Sequence, residues 1–223
     1  MDRSRHRIAV LAATFGFVMF GFVILLSIAR PAEAHPHAWV DLRSGLVFDD
    51  DGRIVAIEEE WFFDDLYTAL VQEQLSNEDG LSQDMLDELA RTNLESLADY
   101  DYFTVVTVDD TAVAVAQVSV YETGMRDDRL WMKFRAPLAE PIDPSEHAVS
   151  YSIYDPSYYV EMLHMEGDPI VLTGGAPQTC SALVEAAHPS FDEVALAAAF
   201  DQTQTGPANL GSLFAEWVHV SCE

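Results

Sequence analysis

His35 and His37 flank Pro36, and Trp39 and Asp41 follow at the same spacing of two. Imidazole nitrogen suits zinc, copper and nickel, and a carboxylate can complete such a coordination shell. In an extended chain alternate residues project to one side, so His35, His37, Trp39 and Asp41 would share a face. Were His35 the first residue of a processed protein, its α-amine and ring nitrogen would chelate together, with a second imidazole two residues on. Pro36 has no amide N–H to lose, which blocks the square-planar copper and nickel mode built on deprotonated backbone nitrogens. The expected chemistry is a divalent transition metal with His35, His37 and Asp41 as ligands and any remaining donors from elsewhere. The plain alternative is a pair of histidines that merely open a strand.

The preceding residues bear on whether His35 becomes a terminus. The chain opens with the basic stretch MDRSRHR, residues 8–29 are almost wholly apolar, and Ala32-Glu33-Ala34 fits the small-x-small site of signal peptidase. We expect a signal peptide over 1–34 and a single periplasmic domain over 35–223. Ser4 separates Arg3 from Arg5, so there is no twin arginine and the general secretory route is expected. The alternative is an inner-membrane anchor over residues 8–29, an apolar run long enough to span a bilayer.

Charge narrows the partners. The 223 residues hold 11 Lys and Arg against 38 Asp and Glu, a formal charge of −27. Residues 35–223 keep seven of the basic and 36 of the acidic ones. Nucleic acid is excluded, because phosphate binding needs clustered Lys and Arg. Such a surface repels anions and gathers cations.

Other chemistry is thin. His147, His164, His188 and His219 form no H-E-x-x-H spacing, and His164, with Glu161 and Glu166 near by, reads as a structural histidine. Asn77-x-Asp79-Gly80 resembles the heart of a calcium loop, but Leu75 and Leu86 stand where the first and twelfth ligands belong, so calcium is not expected. No G-x-S-x-G occurs, and Glu58-Glu59-Glu60 reads as a solvated strand face. Cys180 and Cys222 are the only cysteines; in an exported chain an even pair forms a disulfide.

The elements that would position these groups follow from periodicity. Alternation predicts strands over 37–48 and 53–63, joined by a turn at Asp49-Asp50-Asp51-Gly52. Asp64-Asp65 caps a short helix, and Met85, Leu86, Leu89, Leu94 and Leu97 keep a helical period over 81–100. Strands are expected at 103–108, 113–122, 130–135, 148–154, 158–165, 170–172, 181–186 and 217–221, with a helix at 191–202, a linker at 203–211 and a loop at Pro141 and Pro144. The class is α+β: mostly antiparallel sheet, two early helices and one or two C-terminal helices.

Five segments in order, HPHAWVDLRSGLVFDDDGRI, EEEWFFDDLYTALV, LADYDYFT, YSIYDPSYYV and the Cys180 to Cys222 region, resemble the exported family known as domain of unknown function 1007. The resemblance spans nearly all of 35–223. It implies a periplasmic accessory or solute-binding component of an ABC-type system for nickel, cobalt or zinc, with a membrane metal transporter as partner. It also implies that His35, Pro36 and His37, then Tyr154, Asp155 and Pro156, then Cys180 and Cys222 occupy the family's distinctive positions. Two other roles stay open: a cell-envelope module acting by protein contact alone, and a copper enzyme using a terminal-histidine chelate.

Overall fold

Strand β1 (Ala38–Phe48) alternates, with Val40, Leu42, Leu46 and Phe48 buried on one face and Trp39 and Arg43 exposed on the other. It turns back at once into β2 (Ile54–Phe63) because Asp49 builds the corner. The Asp49 carboxylate accepts from the amides of Asp51 and Arg53 at 3.0 and 2.8 Å, and Gly52 takes a φ of 78° that a side chain would resist. These coordinates are a computed structural model, which describes residues 36–78, 80–200 and 207–222. His35, the expected signal peptide over 1–34, Asp79 and part of the expected linker lie outside the described residues.

The first sheet grows from that hairpin. Strand β6 (Arg129–Ile142) pairs with β2, and β5 (Tyr121–Arg126) pairs with β6, all antiparallel. On the other side β8 (Val160–His164) and β9 (Ile170–Gly174) lie end to end along β1, both parallel to it. The second sheet is wholly antiparallel, in the order β10 (Cys180–Glu185), β11 (Trp217–Cys222), β7 (Val149–Ile153), β3 (Thr104–Val108) and β4 (Thr111–Val113). The fold is α+β and mostly antiparallel.

Two layers cover the inner face of the first sheet. Over its middle lies the second sheet, where Tyr151 of β7 meets Ser44 and Thr104 of β3 meets Glu59. Over one end lie helices α1 (Asp65–Leu75) and α2 (Gln83–Leu97). Asp64 caps α1 through the amides of Leu66 and Tyr67, the Tyr67 ring stacks on Phe63 at 4.9 Å, and Thr68 accepts from the Leu130 amide at 3.1 Å. Helix α2 buries Leu86, Ala90 and Leu94 at the spacing of one face. Each large apolar side chain so buried contributes roughly 1.5–3 kcal/mol. The outer face of the first sheet carries no second layer among the described residues. A third helix, α3 (Phe191–Ala198), starts with a capping box between Ser190 and Glu193.

The strand expected over 113–122 is broken. Residues 114–120 run beside β6 but share only isolated bonds with it, such as Ala116 N–H to the Pro137 carbonyl at 2.7 Å. Pro137 has no N–H to return, so the ladder cannot continue across it. Strand β6 itself runs past Pro137 and Pro141 to Ile142, longer than the expected 130–135.

Cys180 and Cys222 face each other across β10 and β11 and are joined by a disulfide. The bridge spans 42 residues of sequence, so reduction, or Cys222→Ala, is expected to lower the unfolding free energy by roughly 4 kcal/mol through loop-closure entropy. Urea unfolding with and without reductant measures it; coincident curves would refute it. No helix among the described residues is long and apolar enough to cross a membrane.

Candidate functional site

His37 sits just before β1 begins. Its N–H donates to the Tyr159 carbonyl at 2.8 Å, and its ring lies 4.7 Å from the Tyr159 ring at a tilt of 46°. The next residue, Ala38, pairs with Val160. The start of β1 is thus held against the segment Tyr154-Asp155-Pro156-Ser157-Tyr158-Tyr159.

That segment is clamped by one buried carboxylate. Asp155 Oδ1 accepts from the Ser157 amide and hydroxyl at 2.8 Å each, and Oδ2 accepts from the Val160 amide at 3.0 Å. These bonds fold the chain back so that β8 starts beside His37. The Pro156 carbonyl accepts from the Gly211 amide at 3.1 Å, and a Cβ on Gly211 would fall 1.9 Å from the Asp155 oxygen, so only glycine fits there. The Tyr154 hydroxyl donates to Asn209 at 3.2 Å, while burial raises its pKa. The Tyr158 ring stacks on Phe214 at 4.0 Å. Beside the clamp opens a cleft of about 580 Å³, lined in part by Tyr100, Phe103, Pro156, Tyr159 and Asn209.

His37 and Asp41 thus lie on one run of chain, but Asp41 has a partner. Its carboxylate accepts from Arg129 Nη1 at 2.6 Å, and Arg129 also donates to the Phe62 and Phe63 carbonyls. Among the described residues no group of three or more His, Cys, Asp and Glu stands placed to hold a metal ion.

The family described as "Protein of unknown function (DUF1007)" matches residues 20–222. The chain belongs to the DUF1007 family. It is also similar to a protein of Haemophilus influenzae described as uncharacterized, with 22% identity over 211 residues, 92% of this chain and 98% of the relative. Within this DUF1007 chain the HPH and Y-D-P segments, 117 residues apart from His37 to Tyr154, meet through His37 and Tyr159.

A second polar constellation lies in the core around His164, the histidine read as structural from the sequence. Ser44 Oγ is 2.7 Å from the Tyr151 hydroxyl and 2.9 Å from His164 Nε2. His164 Nδ1 is 2.9 Å from Glu216, whose carboxylate also accepts the His164 amide at 2.7 Å. Burial alone would raise Glu216, but the bonds from His164 outweigh it and hold the carboxyl below its ordinary range. The order Ser–His–Glu is that of an acyl-transfer nucleophile. Here Ser44 is only 4% exposed, and its N–H, a natural oxyanion donor, is taken by the Pro169 carbonyl at 3.1 Å. The chain of bonds ties β1, β7, β8 and the approach to β11 together as a strut.

Directly across from Ser44 stands Glu59. It is not solvated as expected, because alternation sends Glu58 and Glu60 outward and Glu59 inward, where it is fully buried. Burial raises its pKa to about 8, despite hydrogen bonds from Thr104 and from Trp61 Nε1, the latter at 2.9 Å. The available signal was a polar residue at an inward position of an otherwise apolar strand face, for Ser44 and Glu59 alike.

Proposed function

We propose that this protein is exported to the periplasm and binds a divalent transition metal (zinc, nickel, cobalt or copper) at its processed N-terminus, as an accessory or solute-binding component of a membrane metal transporter. The observation that carries this reading is the docking of His37 against the Y-D-P segment. The most metal-competent stretch of the sequence is thereby fixed to a rigid clamp, three residues after the expected cleavage site. A fixed imidazole loses less freedom on coordination than one on a loose arm. The basic and apolar leader, the small-x-small site and the disulfide support export. The acidic surface supports cation recruitment.

His35 would supply an amine and a second imidazole, and Asp41 would join only by leaving Arg129. The test is calorimetric titration of each metal into protein beginning at His35, into the same protein with one extra Ala ahead of it, and into His37→Ala. The His37→Ala variant is expected to weaken binding at least about tenfold. Equal binding with the extra Ala would remove the amine from the site. No binding to the parent chain by any of the four metals would sink the proposal and favour a role by protein contact alone.

A further inference from the structure

The outer face of the first sheet concentrates the rare cations of this molecule. Of the seven Lys and Arg in residues 35–223, five (Arg43, Arg126, Arg129, Lys133 and Arg135) project from it, on β1, β5 and β6. On the strands of this sheet Asp41, Glu58, Glu60, Glu122 and Glu161 of the 36 acids project beside them. This face is therefore close to neutral, and the rest of the surface is heavily anionic. Outside it only Arg53 and Arg91 of the basic residues in 35–223 stand among the other acids, so most other approaches between two copies would bring acid against acid.

The register adds a pattern. Across β1, β2, β6 and β5 one row reads Arg43, Glu60, Lys133, Glu122, a strict alternation of sign. The row beside it places Glu58 next to Arg135, and the row on the other side places Phe62 next to Trp131. The Arg126 guanidinium lies 3.9 Å from the Trp131 ring centre and 5.7 Å from that of Phe62, roofing this aromatic pair.

We infer that this face is a two-fold interface with a second copy of the chain. Lay the second copy face to face and turn it by a half-rotation about an axis parallel to the strands, between β2 and β6. Every row is then read backwards. Arg43 meets Glu122 of the second copy, Glu60 meets Lys133 and Glu58 meets Arg135, while Phe62 and Trp131 stay beneath the Arg126 guanidinium. A contact of this kind is isologous, so each complementary pair occurs twice. Aligned sheets pack with their strands about 30° apart, so the central rows carry the match and the ends splay. Intramolecular ion pairs on the face, such as Arg126 with Glu60 at 2.7 Å and Lys133 with Glu58 at 2.7 Å, become four-membered networks without change of sign.

The test is sedimentation equilibrium of the metal-free exported protein, so that its outcome is independent of metal binding. The parent is expected to be dimeric at roughly 100 µM and to dissociate as salt rises. Glu60→Lys and Lys133→Glu each set like charges opposite one another twice, and each is expected to raise the dimer dissociation constant by at least about a hundredfold. An equimolar mixture of the two single variants restores both pairs and is expected to give heterodimers. The double variant Glu60→Lys/Lys133→Glu is expected to dimerise like the parent. Circular dichroism checks that each variant folds; if a central variant does not, the exposed pair Arg43→Glu and Glu122→Lys repeats the experiment. A parent that stays monomeric, a dimer indifferent to the single swaps, or single variants that mixing fails to rescue would each overturn the inference.

Discussion

Replacing Glu59 with Gln will flatten the pH dependence of stability and leave the variant more stable than the parent above pH 8. The carboxyl is fully buried with a pKa of about 8, against an ordinary 4.5. A raised pKa means that the folded state holds its proton where the unfolded chain has lost it. The stability from this group is therefore complete below about pH 4.5, falls as pH rises towards 8, and stays lost above that. At about 1.4 kcal/mol for each unit of pKa, the loss is on the order of 4–5 kcal/mol. The neutral amide can take over both bonds of the protonated acid. Its oxygen accepts from Trp61 Nε1, and its NH2 donates to the Thr104 hydroxyl, which lies 3.3 Å from the Tyr102 carbonyl. Glu59→Ala, in contrast, leaves a void and two orphaned polar groups and is expected to cost about 3 kcal/mol even at pH 5. The quantity to measure is the difference in urea unfolding free energy between Glu59→Gln and the parent from pH 5 to 9. Other carboxylates, such as Asp49 and Glu216, titrate in both proteins and cancel in that difference. A difference that does not change with pH would show that Glu59 is ionised in the folded protein throughout.

How far the sequence foretells this molecule depends on the range of the interaction. The β1–β2 hairpin was legible because Asp49 and Gly52 build its turn within four residues, and α2 because its apolar period is local. The α3 start was legible for the same reason. The second addition to β1 was not, since Ala38 pairs with Val160 and Ser44 with Ile170 across more than a hundred residues, and nothing in a short strand names its neighbour. The candidate site divides in the same way. The candidate donors of the HPH stretch could be named from residue type alone. That His37 rests on Tyr159 depends on Asp155 folding the Y-D-P loop and on Gly211 leaving room for it, two conditions set by tertiary contact. Glu59 was misread because a run of three acids suggests solvent, whereas the strand's two-residue period assigns the middle one to the core.

The same core holds the second large effect, at His164. Its side chain is 3% exposed and carries both ends of the strut, to Ser44 and to Glu216. His164→Ala removes a buried ring, leaves Ser44 with Tyr151 alone, and takes from Glu216 one of the two donors that hold its pKa down. The expected loss is about 4 kcal/mol, the sum of a cavity and a stranded carboxylate. Glu216→Gln tests the sign of the electrostatic part. Because the Glu216 pKa is depressed by the fold, its contribution is present above the ordinary carboxyl range and disappears as pH falls through the folded value. The variant should therefore be weaker than the parent at neutral pH and converge with it in acid. Ser44→Ala should cost less, about 1 kcal/mol, since the Tyr151 hydroxyl loses one partner. If the constellation were a nucleophile held in readiness, substituting the serine would abolish an acyl transfer and could leave stability unchanged or raised. A strut makes the opposite forecast, with all three substitutions lowering the urea midpoint at neutral pH and His164→Ala lowering it furthest. The couplings should be non-additive too, because His164→Ala already breaks the Ser44–His164 bond that Ser44→Ala removes and the His164–Glu216 side-chain bond that Glu216→Gln alters. Additive losses would mean that the four strands are tied at separate points and that the hydrogen-bonded chain does not act as one.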